Sequence, residues 1–366
     1  MLGAHILEPC SRGHAPTGSP RVGGLRGRIT DLRLLCRGRT VGADNEGAVD
    51  RVSLRTDVVA PVPVTAVKGR GLYVVGMHRS GTSAVTGMLV GLGLQGPSVD
   101  DRLPPSPSNE SGNNESATLT RFNNDVLLSL GGTWAAPPRL TGDWAAGPRV
   151  TGHRDEAARL VAAAFPHEYF VWKDPRTCLL LPFWKTVIGP PEAAVFVYRD
   201  ALDVARSLQV RNEFPITHGL ALWERYVRSA SANLDGVPTF VTRFDDVLDD
   251  PTVVVRELTA FLQSVGYRVA RHEDPAVLRL DQRLRHHRSS GSPVESEPIS
   301  SSQQLILDVL DQRQGAHRSW SAPDLGTEPD WVEDVLALRR NFDRIRRERP
   351  LKDSLVARAR SRLLGS

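Results

Sequence analysis

From Gly71 onward the apolar positions follow two rhythms that take turns along the chain. Leu72, Tyr73, Val74 and Val75 form a solid apolar run that stops at Gly76. After a polar turn, Val85, Met88, Leu89 and Leu92 recur at helical spacing. A short solid run marks a strand buried on both faces, and the three-to-four-residue rhythm marks a helix with one buried side. Similar runs return at residues 169–172, ending in Lys173, at 193–198, ending in Arg199, and at 239–242. The helical rhythm predicts helices over 119–130, 154–164, 202–210, 219–234, 252–265 and 330–346. Asp250-Pro251 gives the fifth of these a cap and a first-turn proline, and the last has an arginine-rich polar face. Strands alternating with helices predict an α/β fold around a largely parallel sheet.

Outside this alternation the rhythm breaks down. Residues 1–68 mix Gly, Pro and Arg with brief apolar snatches, and 11–28 read as disordered. Residues 95–117 read as a loop rich in Pro, Ser and Asn, and 288–302 as one rich in Ser, Pro and Glu. The expected organisation is an N-terminal extension over 1–68, largely disordered, and a main domain over 69–285. A C-terminal loop and helices over 286–366 would pack on or extend that domain.

With 366 residues, 40% of them hydrophobic, the chain can bury a core in one large or two modest domains. The formal net charge of +4 is small for this length. No aromatic-basic stripe or zinc-finger spacing accompanies it, so no nucleic-acid partner is expected. The three cysteines, Cys10, Cys36 and Cys178, are scattered and form no disulfide framework. No apolar run approaches the ~20 residues of a membrane helix, and the first residues lack a signal-peptide pattern. A cytoplasmic protein without a transmembrane segment is the expectation, its oligomeric state open.

The turn between the first strand and helix carries the chemistry. Gly76 and Gly81 have the spacing of a Walker A loop, but Thr82-Ser83 follows where a nucleoside triphosphatase has Lys-Ser or Lys-Thr. The cation stands earlier, as Arg79. Backbone N–H groups of such a loop, backed by the helix dipole, make an anion site. Arg79 adds a forked donor set, and Ser80, Thr82 and Ser83 add hydroxyls, which suits a 5′ phosphate or phosphosulfate. In open parallel sheets ligands sit beyond the carboxyl ends of the strands, where Lys173 and Arg199 also fall. Three cations on one rim call for an anion. Ser207 follows Arg199 by two helical turns, and the turn at the helix start can fold it back beside that arginine.

These segments resemble the sulfotransferases that use 3′-phosphoadenosine 5′-phosphosulfate (PAPS), in the bacterial type related to the tyrosylprotein and Golgi branch. The likeness spans about residues 71–285. Arg79-Ser80-Gly81-Thr82-Ser83 looks like the family's 5′-phosphosulfate loop, and 195–208 like its 3′-phosphate segment. The resemblance implies a P-loop-like three-layer fold with a central, mainly parallel sheet flanked by helices. It implies that Arg199 and Ser207 bind the 3′ phosphate. Lys173, in a Lys-Asp-Pro element, would reach the transferring sulfuryl group, and Glu115 would act as base with Glu110 in reserve. Asn113 and Asn114 stand where the related branch has aromatics. Asp174 and Arg176 can equally form a structural ion pair, and Trp223 and Tyr226 read as a helix core face. The Arg-Lys-Gly element of the cytosolic branch is missing, with Arg285 or Arg288 as substitutes. The implied reaction passes a sulfuryl group in line to a hydroxyl or amine of a small-molecule, glycan or lipid acceptor. It leaves adenosine 3′,5′-bisphosphate (PAP) and needs no obligatory metal. The rival readings are a P-loop kinase or NTPase and a non-catalytic nucleotide-binding protein on the same fold.

Overall fold

Strands with apolar side chains on both faces need cover on both sides, and the chain supplies it. The structure, a computed structural model, describes residues 70–104, 114–270 and 299–364, with 349–364 as backbone only. Cys10, Cys36, Glu110, Arg285, His286, His287 and Arg288 lie outside the described residues, as does the expected extension over 1–68. Strand β1 (Arg70–Val75) leads through the glycine loop into α1 (Thr82–Gly91). Helices α2 (Ala117–Ser129), α3 (Pro148–Thr151) and α4 (Arg154–Ala164) precede β2 (Tyr169–Lys173). Then come α5 (Thr177–Ile188), β3 (Ala193–Tyr198), α6 (Ala201–Asn212), α7 (Ile216–Asn233), β4 (Thr239–Arg243), α8 (Phe244–Asp249) and α9 (Pro251–Ser264). The described chain closes with α10 (Ser301–Asp311), β5 (Gly315–His317) and α11 (Asp330–Leu364), the last running well past the predicted 346.

The sheet has the order β2-β1-β3-β4-β5. Its first four strands are parallel, and β5 pairs antiparallel with β4. Gln95 adds a single parallel bridge to Phe170. Alternate residues of each strand feed two separate cores. Tyr73, Val75, Phe196 and Tyr198 join the layer that includes α2, α4, α5, α6, α7, α10 and α11. Leu72, Val74, Val195 and Val197 join α1, α8 and α9. This is the three-layer, P-loop-like α/β arrangement that the alternating rhythms predict. Strands β2 and β3 flank β1 on opposite sides, so the chain reverses direction across the sheet beside β1. A crevice opens at such a reversal, at the carboxyl ends of the strands. Gly76 makes the close approach there possible, since a Cβ on it would lie 2.3 Å from the Val197 carbonyl oxygen.

Helix α5 is absent from the sequence-based expectations because Pro182 interrupts it. Proline has no N–H to donate to the carbonyl four residues back, that of Cys178. The side chain of Asn233, at the end of α7, donates Nδ2–H to this carbonyl instead, at 2.8 Å. Lys185 Nζ returns a bond to the Asn233 carbonyl at 2.7 Å, so α5 and α7 are stitched together at two points. Asn233→Ala should lower stability by about 1–3 kcal/mol by orphaning a buried carbonyl. Adding Pro182→Ala should recover most of that loss, because residue 182 then supplies its own N–H. Urea unfolding of the single and double variants checks both expectations. Among the described residues no helix is long and apolar enough to cross a membrane.

Candidate functional site

The loop after β1 owes its shape to two left-handed backbone positions, Arg79 at φ 71° and Gly81 at φ 86°. Glycine takes that conformation freely, whereas an arginine there stores roughly 1–2 kcal/mol of strain. Strain of this kind collects at functional sites. Gly81 is the N-cap of α1, and no side chain caps the start of that helix, so its positive end faces the loop. Ser80 is fully buried, and its Oγ has no hydrogen-bond partner among the described residues. Thr82 is also buried.

The other predicted cations gather on this loop. Arg79 Nε donates to Ser207 Oγ on α6 at 2.8 Å. Arg199, just beyond β3, directs Nη1 at the Arg79 carbonyl at 3.5 Å and Nη2 at Asp203 at 3.2 Å. The Arg199 guanidinium lies over the Phe244 ring, 5.5 Å from its centre. Trp223 is core, as expected, and its Nε1–H fixes the Arg199 carbonyl at 2.9 Å. Ser207 therefore meets the loop through Arg79, with Arg199 behind them. Burial, and then the positive charges of Arg211 and Arg199, pull the Arg79 pKa down to about 10. A guanidinium pushed down by its neighbours is one that an anion would relieve.

Lys173 and Glu115 meet on the other side of the loop. Lys173 ends β2, in register with Val74, and its Nζ bridges Ser83 Oγ at 3.0 Å and Glu115 Oε1 at 2.5 Å. Glu115 is held from the sequence upward. Ser116 caps α2 by accepting from the Leu119 amide. Asp101 receives the Ser116 hydroxyl, the Thr118 amide at 3.0 Å and the Thr118 hydroxyl at 2.6 Å. The Glu115 carbonyl takes the Leu103 amide at 2.9 Å. The residue before it, Asn114, has φ 48°.

Sequence reasoning gave Arg176 at most a structural role. It does pair with Asp174 at 2.9 Å, and the pair is buried. Its Nη1 also lies 4.0 Å from Glu115 Oε2, so the carboxylate sits between two cations. Burial works against the Arg176 charge, but Asp174 and Glu115 outweigh it and raise the pKa above the ordinary arginine value. His78, inside the loop, was missed, although its place in the motif was visible. Its ring centre lies 4.7 Å from that of Trp134 and 5.8 Å from that of Tyr226. Burial, then Arg176, Arg211, Lys173 and Arg79, push its pKa well below the usual imidazole value, so it is neutral at physiological pH. Arg211 on α6 and Trp134 carried no sequence signal, because only the folded chain brings them to the loop.

Around the glycine loop, Ser207 and Arg199 meet Arg79, and Lys173 links Ser83 to Glu115. Such a set can hold a ligand with two anionic groups and place a lysine and a carboxylate beside it. Neither a protein-family model nor a curated protein matches the chain. Among solved structures it is similar to the sulfotransferase domain from the curacin biosynthetic pathway. That match has 15% identity over 66% of this chain and 97% of that one, with a TM-score of 0.39. It is also similar to the sulfotransferase domain of the Synechococcus PCC 7002 olefin synthase, at 16% identity over 66% and 95%, with a TM-score of 0.37. Likenesses this distant carry no weight for the chemistry, which rests on the site's own residues.

Proposed function

We propose that this chain is a sulfotransferase that moves a sulfuryl group from PAPS to an acceptor hydroxyl or amine, leaving PAP. The observation that supports the reading is the meeting around Arg79 of two groups of residues, each suited to an anion. One is the glycine loop with its buried Ser80 hydroxyl, which has no partner among the described residues, and the other is Ser207 with Arg199. A nucleoside triphosphatase loop has no use for the second element and would need a lysine where Thr82 stands. The residues fit the donor. The loop amides, Ser80, Thr82 and Arg79 would hold its 5′ side, and Arg199 and Ser207 its 3′ phosphate.

The donor supplies a sulfuryl group on a phosphate leaving group, and the protein supplies position and charge. Glu115 accepts the proton of the acceptor as the new O–S or N–S bond forms. Lys173 turns from Glu115 to the oxygens that gain charge as the old S–O bond breaks. The departing electron pair stays on the phosphate of PAP. Arg176 keeps Glu115 in place while Lys173 is engaged elsewhere.

Calorimetric titration with PAP and with ATP tests the donor site. PAP should bind much more tightly than ATP. Arg199→Ala should weaken PAP by about tenfold or more, the loss of a charge-assisted hydrogen bond. ATP binding as tight as PAP binding and indifferent to Arg199→Ala would return the loop to the NTPase class.

A further inference from the structure

The face of α6 that meets the glycine loop can be followed turn by turn. Asp203 Oδ2 takes Arg199 Nη2 at 3.2 Å, and one turn further on Ser207 Oγ takes Arg79 Nε at 2.8 Å. Residues four apart share a helix face, so the next position in this row is Arg211. Helical side chains lean back toward the N-terminus, which favours placing the Arg211 side chain over the turn that carries Ser207.

The three arginines differ in what holds them. Arg199 has Asp203 and the Arg79 carbonyl, and Arg79 has the Ser207 hydroxyl. Arg211 is exposed and makes no hydrogen bond or ion pair among the described residues. Its charge nevertheless reaches the loop. After burial, Arg211 is the largest influence lowering the Arg79 pKa, ahead of Arg199. Three like charges gathered in one place repel, and a phosphate set against Ser207 would turn that repulsion into attraction.

We propose that Arg211 is a third arm of the Ser207–Arg199 element and makes that element selective for a phosphate over a hydroxyl. The inference rests on the sulfotransferase reading for the identity of the ligand, but not for the binding of an anion. A phosphate brings charge and several acceptor oxygens, and the planar guanidinium fork matches them. A hydroxyl in the same place carries no charge and leaves the repulsion among the arginines as it was. Arg211 thus contributes to binding, while the fold gains nothing from it.

PAP and adenosine 5′-monophosphate (AMP) differ by the 3′ phosphate alone, so calorimetric titration with each reads the contribution of that group. Wild type, Arg211→Gln and Arg199→Ala are compared, and melting temperatures are measured without ligand. Arg211→Gln should weaken PAP binding about tenfold or more and AMP binding by less than about twofold. Its melting temperature without ligand should match or exceed that of wild type, because a repelling charge is gone. Equal losses for PAP and AMP would reduce Arg211 to a general field over the loop and overturn the proposal. A lower melting temperature without ligand would overturn it too, since that marks a structural role. PAP binding that Arg199→Ala weakens and Arg211→Gln does not would remove the inference and leave the sulfotransferase reading standing. If wild type binds no PAP, that reading falls and inorganic pyrophosphate becomes the probe. Pyrophosphate binding that Arg211→Gln weakens about tenfold keeps the third arm, and binding that is unchanged or absent ends it.

Discussion

Lys173→Met should lower the maximal rate of sulfuryl transfer by about 10²–10³-fold, the usual effect of removing one preorganised charge from a developing oxyanion. PAP affinity should fall far less, because the loop and the Arg199–Ser207 flank are untouched. The variant also has a cost in stability that must be separated from its chemistry. The Lys173 and Glu115 side chains are 1% and 10% exposed, so losing the ammonium would leave the Glu115 carboxylate buried with Arg176 at 4.0 Å as its remaining ion-pair partner among the described residues. Breaking a buried pair from one side typically costs about 3–5 kcal/mol. Adding Glu115→Gln removes the stranded charge and should return most of that stability while leaving transfer as slow as before. Denaturant unfolding and single-turnover kinetics on the two variants check this. A double variant that recovers rate along with stability would mean that Lys173 only supports the fold.

Gly81→Ala should damage stability and donor binding together. At φ 86° a Cβ is unfavourable, and the added atom would lie 1.9 Å from Cδ2 of Phe244. The left-handed penalty of roughly 1–2 kcal/mol adds to an overpacking cost of about 1–3 kcal/mol. Phe244 cannot simply retreat, since its ring supports the Arg199 guanidinium at 5.5 Å. Relief of the clash therefore disturbs both elements proposed to hold the donor, and PAP affinity should drop with thermal stability. Gly87→Ala is the control. It sits in α1 with nothing within 4 Å of the added carbon. It should be neutral or stabilise by about 0.4–1 kcal/mol, with PAP binding intact. Differential scanning calorimetry with and without PAP distinguishes the two variants.

The parts of this molecule that could be read from the sequence are those whose physics is local. Strand β3 and helix α4 fall on the predicted residues, because a solid apolar run and a helical apolar stripe need no distant partner to declare themselves. The glycine loop and the cations at the strand ends were legible for the same reason. Helix α5 was not, because the residue that makes its proline tolerable is Asn233, on another helix. The three-residue β5 is too short to show any periodicity. Within the site, Arg79 was expected on the 5′ side of the ligand, and its contact with Ser207 could not be read from spacing. The bracketing of Glu115 by Arg176, and the approach of Arg211 and Trp134 to the loop, depend on which elements the sheet order makes neighbours.

The sheet's two borders have a consequence for the protein in concentrated solution. A parallel sheet with a bare outer strand is a template onto which a second chain can zip, the first step toward fibrous aggregates. Here Gln95 pairs onto β2 at one border, and the short antiparallel β5 covers β4 at the other. Neither cover is long enough to serve as a template in its turn. Strand addition by a second copy is thereby hindered at both borders of the described sheet, and deleting β5 should expose the β4 edge and promote aggregation.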